Sequence, residues 1–71
     1  MVKSITMFTV ARISDQVMGN LIAWSTPVDS FDSIEEAQDC AAWLYNQDWE
    51  SVPDGYSLGY GYIVHDGRNV L

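Results

Sequence analysis

The most regular alternation of apolar and polar positions lies between residues 31 and 50 (FDSIEEAQDCAAWLYNQDWE) and predicts a helix. Ser33 and Glu36 have the spacing of a capping box, in which each side chain bonds the backbone amide of the other residue. The helix should therefore begin just after Ser33, and we expect it to end near Asn46 or Gln47. At about 100° per residue, one narrow apolar stripe forms and should pack against a sheet. The stripe comprises Ile34, Ala37, Ala41 and Leu44.

Two shorter apolar runs before this helix predict strands. Residues 5–13 (ITMFTVARI) are rich in β-branched and aromatic side chains, and both faces of the run are partly apolar. This pattern favours a central strand, or one whose outer face is covered. Residues 21–25, continuing as far as Val28, predict a second strand that forms an antiparallel hairpin with the first. Pro27 marks the edge or the end of that strand.

The run after the helix predicts a third strand and a short fourth one. Residues 56–65 (YSLGYGYIVH) place Tyr60 and Tyr62 on one face and two glycines on the other. Either the helix lies over the glycines and leaves the tyrosines outside, or the tyrosines are in the core and the glycines mark a bulge. An Asp-Gly hairpin turn follows. Residues 68–71 should then pair back as an edge strand.

These elements predict an α+β fold in one small domain that spans residues 1–71. The expected order along the chain is β-β-α-β-β, with an antiparallel sheet of three or four strands and one helix on one face. A chain of 71 residues buries only about 60% of its extended surface, so good packing or association with another chain has to supply stability.

The charge of the chain narrows the choice of partner. Ten acidic residues against three basic ones give a formal net charge of −7. Lys3, Arg12 and Arg68 are too scattered to neutralise a run of phosphates, which excludes direct nucleic-acid binding, and anionic membrane is disfavoured for the same reason. The basic surface of a protein or nucleoprotein complex is the complementary partner.

The chemistry of a catalytic or metal centre is missing from the sequence. His65 is the only histidine and has no neighbouring cysteine ligand, so it does not indicate a zinc site. Cys40 lies in the middle of the predicted helix, beside the apolar stripe, where a packed thiol is the expected state. The acidic residues lack the spacing of a calcium-binding loop. We therefore expect no enzyme activity, no cofactor and no metal. The single cysteine and the absence of a signal peptide or long apolar run favour the cytoplasm.

The face of the helix opposite the apolar stripe carries the candidate function. Glu36, Asp39 and Trp43 are spaced i, i+3, i+7 and line up together. An exposed tryptophan among polar side chains is typical of a protein interface, although Trp43 could instead fold beneath the following loop. The loop expected over residues 48–55 (DWESVPDG) repeats the combination of acidic residues and a tryptophan, although Trp49 could instead anchor this loop to the helix end. The candidate partner-binding residues are Glu35, Glu36, Asp39, Trp43, Asp48, Trp49, Glu50 and Asp54.

In its size, its net charge and its acidic segments EEAQDCAAW and DWESVPD, the chain resembles small acidic inhibitors made by phages and other mobile elements. This class includes anti-CRISPR and anti-restriction proteins. The resemblance implies a viral, DNA-mimicking inhibitor in the host cytoplasm, which blocks the basic site of a host defence or nucleic-acid-processing complex.

Two alternatives remain open on the sequence alone. The first is a binding module or homodimerising subunit that uses an aromatic sheet face, formed by Tyr60, Tyr62 and Trp24, or an exposed edge strand. The second is an acidic domain with all its aromatic side chains buried, in which the charge serves only solubility.

Overall fold

The computed structural model describes residues 7–71, and this part of the chain contains three strands and two helices. They follow one another as β1 (Phe8–Ser14), α1 (Leu21–Trp24), β2 (Thr26–Phe31), α2 (Ile34–Glu50) and β3 (Tyr60–His65). The strands form one antiparallel sheet in the order β2-β1-β3. A small α+β fold with one main helix is therefore confirmed, while the observed order of elements is β-α-β-α-β.

The core lies between α2 and one face of the sheet. Side chains alternate between the faces of a strand, and the register pairs Val10 with Val64 and Arg12 with Tyr62 on the same face. Val10 and Val64 form the buried cluster together with Ala37 of α2. The helix packs mainly on β1 and β3. The central position predicted for the first strand is confirmed for β1, although residues 5 and 6 lie outside the described residues.

Helix α2 begins directly after Ser33, as the capping residues predict, and ends later than expected. The Ser33 hydroxyl accepts a hydrogen bond from the Glu36 amide at 3.5 Å. The helix continues to Glu50, beyond the predicted end near Asn46 or Gln47. The carboxylate of Asp48, in the last turn, accepts hydrogen bonds from two tyrosines of β3, and these contacts hold that turn against the sheet.

The prediction of a strand over residues 21–25 is wrong, because residues 21–24 form the short helix α1. Asn20 caps it, since its side-chain oxygen accepts a hydrogen bond from the Ala23 amide at 3.3 Å. The strand that pairs with β1 is displaced to residues 26–31. Pro27 lies within it, which a strand at the edge of a sheet tolerates.

The C-terminal prediction is also only partly met. The third strand begins at Tyr60 rather than at residue 56, because Gly59 turns the chain with a φ of 74°. The Gly59 carbonyl accepts a hydrogen bond from the Asp15 amide at 3.1 Å. The tyrosines of β3 lie on the face that α2 covers. Within residues 7–71, the fourth strand is reduced to a single bridge between His65 and Val70.

No helix in residues 7–71 has the length and apolar character needed to cross a membrane.

Candidate protein-binding site on helix α2

Over its first ten residues, helix α2 holds three carboxylates and one indole on its solvent side. Glu35, Glu36 and Asp39 are exposed, and Trp43 is exposed by 60%. Together these four residues form the acidic face of α2. Ala37, on the other side of the helix, is completely buried against Val10 and Val64, and this packing fixes the direction in which the four residues point. Trp43 therefore does not fold beneath the following loop.

Within residues 7–71, no side chain or backbone amide donates a hydrogen bond to the carboxylates of the acidic face. Among residues 7–71, the side-chain bond at the start of α2 uses the amide of Glu36 and the hydroxyl of Ser33, and it leaves the Glu36 carboxylate unused. Glu35 and Glu36 stand in the first turn, where the helix dipole favours negative charge. The sheet cation Arg12 lies over the ring of Tyr60, with its guanidinium carbon 5.3 Å from the ring centroid. The acidic face therefore presents its charge to the solvent.

Asp48 is directed away from the acidic face and into a cluster with two tyrosines. The hydroxyls of Tyr60 and Tyr62 donate to the same Asp48 oxygen, Oδ2, at 2.7 and 2.6 Å. The two tyrosine rings meet edge to face, with centroids 6.0 Å apart. This pairing makes Asp48 a structural acceptor that ties the last turn of α2 to β3. Asp48 therefore does not lie among the outward carboxylates, where it was expected as a partner-binding residue.

Hydrogen bonding and charge in this cluster shift the pKa values of its members. The bonds from Tyr62 and Tyr60 hold the pKa of Asp48 below its ordinary value, and the nearby charge of Arg12 acts in the same direction. Partial burial and the bond to Asp48 raise the pKa of Tyr62 to about 12. The pKa of Tyr60 is raised too, chiefly by its hydrogen bond to Asp48. At neutral pH the cluster therefore consists of a carboxylate and two neutral phenols.

The remaining candidates lie near the C-terminal end of α2 and in the loop that follows. Trp49 is exposed by 40% and packs edge to face on Tyr45, with ring centroids 6.1 Å apart. It lies about 120° around the helix from Trp43, because six residues separate the two. Glu50 is exposed at the end of α2, seven residues after Trp43 and therefore on the same side of the helix, and Asp54 is exposed in the loop that follows. The structure thus brings together Glu35, Glu36, Asp39 and Trp43, and separates them from Asp48 and Trp49.

Neither the cysteine nor the histidine forms a reactive pair. Cys40 projects from α2 onto one face of the sheet, and burial together with the charge of Asp29 raises the pKa of its thiol. His65 lies on the opposite face of β3, since it is one residue removed from Val64. Its Nδ1 accepts a hydrogen bond from the Gly67 amide at 3.0 Å. Within residues 7–71, no group of three or more His, Cys, Asp or Glu side chains is placed to hold a metal ion.

No protein-family model matches the chain, and comparisons with characterised proteins and with solved structures find no significant relative.

The aromatic alternatives are changed by the structure. Tyr60 and Tyr62 are half-buried beneath the end of α2, so they do not form an open sheet face with Trp24, which is exposed by 70% on α1. An acidic domain with all its aromatic side chains buried is not observed either, because all three tryptophans are exposed.

Proposed function

We propose that the chain is a non-enzymatic inhibitor that binds a basic protein surface through the acidic face of α2. Its target is the nucleic-acid-binding site of a host defence or nucleic-acid-processing complex, as for the anti-CRISPR class that it resembles. The observation that carries the proposal is the 60% exposure of Trp43 beside three exposed carboxylates that accept no hydrogen bond from residues 7–71. Tryptophan is enriched among the residues that contribute most to binding at protein interfaces, so an exposed tryptophan on a small domain favours a binding role.

The two kinds of side chain contribute differently to such a complex. Glu36 and Asp39 stand about one helical turn apart and present their charges where a basic groove would otherwise meet phosphates. The chain's net charge of −7 accelerates its encounter with a positive partner at low salt. Trp43 adds apolar contact, which salt does not screen. The affinity should therefore fall with ionic strength but not vanish.

The test compares two charge reversals of equal size in a pull-down from a host lysate. Asp39→Lys changes the acidic face, whereas Asp15→Lys changes an exposed carboxylate in the turn after β1. Asp39 is preferred to Glu36 because Glu36 lies in the first turn, where a lysine would oppose the helix dipole. We expect the captured basic protein to bind Asp39→Lys at least about tenfold more weakly, and Asp15→Lys nearly as well as the unaltered chain.

Two further measurements complete the test. Added DNA or RNA should displace the captured protein from the unaltered chain, and Trp43→Ala should weaken binding at high and low salt alike. The melting temperatures of Asp39→Lys and Trp43→Ala should stay close to that of the unaltered chain, because both positions are exposed. If Asp15→Lys and Asp39→Lys lose binding equally, the loss comes from the change in net charge, and the acidic face is not the binding site.

A further inference from the structure

Strand β3 has an outer edge whose backbone is only partly paired within residues 7–71. The Leu71 amide donates to the Val64 carbonyl at 2.8 Å, so Val64 points its backbone groups away from β1. Backbone groups alternate in direction along an antiparallel strand, and those of Tyr60 and Tyr62 therefore point outward as well. The C-terminal residues cover this edge only at its His65 end. An unpaired edge of this kind is a template for another strand.

Beside this edge, α2 presents a stripe without charge on an otherwise acidic chain. Gln38, Ala42, Tyr45 and Trp49 are spaced i, i+4, i+7, i+11, and all four are exposed. An open apolar groove of about 290 Å³ runs between the helix and β3, lined in part by Ala42, Tyr45 and Gly61. Tyr45 and Trp49 are each exposed by 40%. Glu35, three residues before Gln38, borders this stripe at its N-terminal end, so two copies can approach each other over Ala42, Tyr45 and Trp49 without a carboxylate among these residues.

We infer that this edge and stripe form the contact between two copies of the chain. In the antiparallel arrangement centred on Gly61, Tyr60 of one copy faces Tyr62 of the other, and the outward backbone groups make four hydrogen bonds. The result is one six-stranded sheet with both α2 helices on the same face. The centre carries a glycine from each copy, so no side chains obstruct the approach of the two strands there.

The spacing of the elements supports a second copy as the occupant. Neighbouring strands lie about 4.8 Å apart, and α2 sits over the boundary between β1 and β3. The axis of α2 is therefore about one strand spacing from a two-fold axis placed at the outer edge of β3. The two α2 helices of such a dimer lie about 10 Å apart. Helices in proteins pack at about 8–10 Å. The groove beside each helix is then filled by Ala42, Tyr45 and Trp49 of the two copies. A basic partner, in contrast, finds no carboxylate on this stripe.

Sedimentation of the full chain tests this contact from about 1 µM to about 1 mM. The expected result is a monomer–dimer equilibrium that tightens as salt increases, because the two copies carry −7 each and repel one another. This salt response is opposite to that of the inhibitor complex, so the two proposals succeed or fail separately. Ala42→Glu should weaken the dimer about tenfold or more. Gln47→Glu adds the same charge on the other side of α2 and should change dimerisation less than threefold.

Hydrogen exchange locates the contact between the two copies, and circular dichroism checks that the variant is folded. The amides of Tyr60 and Tyr62 should gain protection as concentration rises, while those of the opposite edge strand, β2, should not. The circular dichroism of Ala42→Glu at micromolar concentration should match that of the unaltered chain. A chain that stays monomeric at about 1 mM, or a dimer that leaves the Tyr60 and Tyr62 amides unprotected, overturns the inference.

Discussion

Val10→Ala should lower the melting temperature of the chain by roughly 10 °C. Val10 is completely buried and lies between Ala37 and Val64 at the centre of the core. Removing two methyl groups there loses their burial and leaves a cavity, at a cost of roughly 2 kcal/mol. A domain of this size has about 4–10 kcal/mol of stability in total. In so small a domain each kcal/mol corresponds to roughly 4–8 °C, and thermal unfolding followed by circular dichroism gives the value.

Val28→Ala is the matched control for this substitution. The same two methyl groups are removed at Val28, which lies on β2 and is 43% exposed. Its replacement should shift the melting temperature by only a few degrees, since surface substitutions rarely change stability by more than about 0.5 kcal/mol. Equal losses in the two variants would mean that the contact of α2 with the sheet at Val10 is not the centre of the core.

The main helix and its outward face could be predicted because their causes are local. Ser33 is a strong N-cap, and Ala37, Ala41 and Leu44 recur at helical spacing, so the position of the buried stripe also fixes the position of the acidic face. Glu35, Glu36, Asp39 and Trp43 follow from that geometry without knowledge of the rest of the fold. The exposure of Trp43 does not follow from helical spacing alone, because a loop that folds back can cover a side chain on the outer face of a helix.

The element before β2 could not be predicted from the same kind of pattern. Leu21–Trp24 is too short to show helical periodicity, and its apolar and aromatic side chains suit a strand equally well. The Asn20 cap decides the outcome, but a lone asparagine is equally typical of a turn. Since α1 uses these residues, the pairing partner of β1 moves on by several residues and includes Pro27.

The cluster around Asp48 depends on contacts between distant parts of the chain. Asp48 stands 12 and 14 residues before the two tyrosines that bind it. The sequence left open which face of β3 would meet the helix, and Asp48 is only one of many carboxylates. A useful signal is present nevertheless: the dipole disfavours negative charge at the end of a helix that has no basic residue there, so a hydrogen-bond donor beside one of the last carboxylates stabilises the helix.

Asp48→Asn should destabilise the fold at neutral pH and remove part of its sensitivity to acid. The folded chain holds the pKa of Asp48 below its ordinary value of 3.8, so the ionised carboxylate stabilises the fold above that pH. This contribution is lost as the pH falls through the lowered pKa. Melting temperatures measured from neutral to acidic pH should therefore converge for the two proteins at the acid end. Asp54→Asn, the same change at an exposed loop position, should leave the melting temperature at neutral pH nearly unaltered.

The same variant should also remove part of the sensitivity of the fold to alkaline pH, where the tyrosines titrate. The pKa of Tyr62 is raised from 10.0 to about 12, so its neutral form stabilises the fold below pH 10, and that contribution is lost between pH 10 and 12. In Asp48→Asn, the pKa of Tyr60 should fall furthest, because its hydrogen bond to Asp48 is the main cause of its shift, whereas burial keeps part of the shift of Tyr62. Tyrosinate absorbance during an alkaline titration measures both groups, and Tyr62→Phe identifies the later one. If Asp48→Asn titrates like the unaltered chain, the carboxylate is not the acceptor that joins the end of α2 to β3.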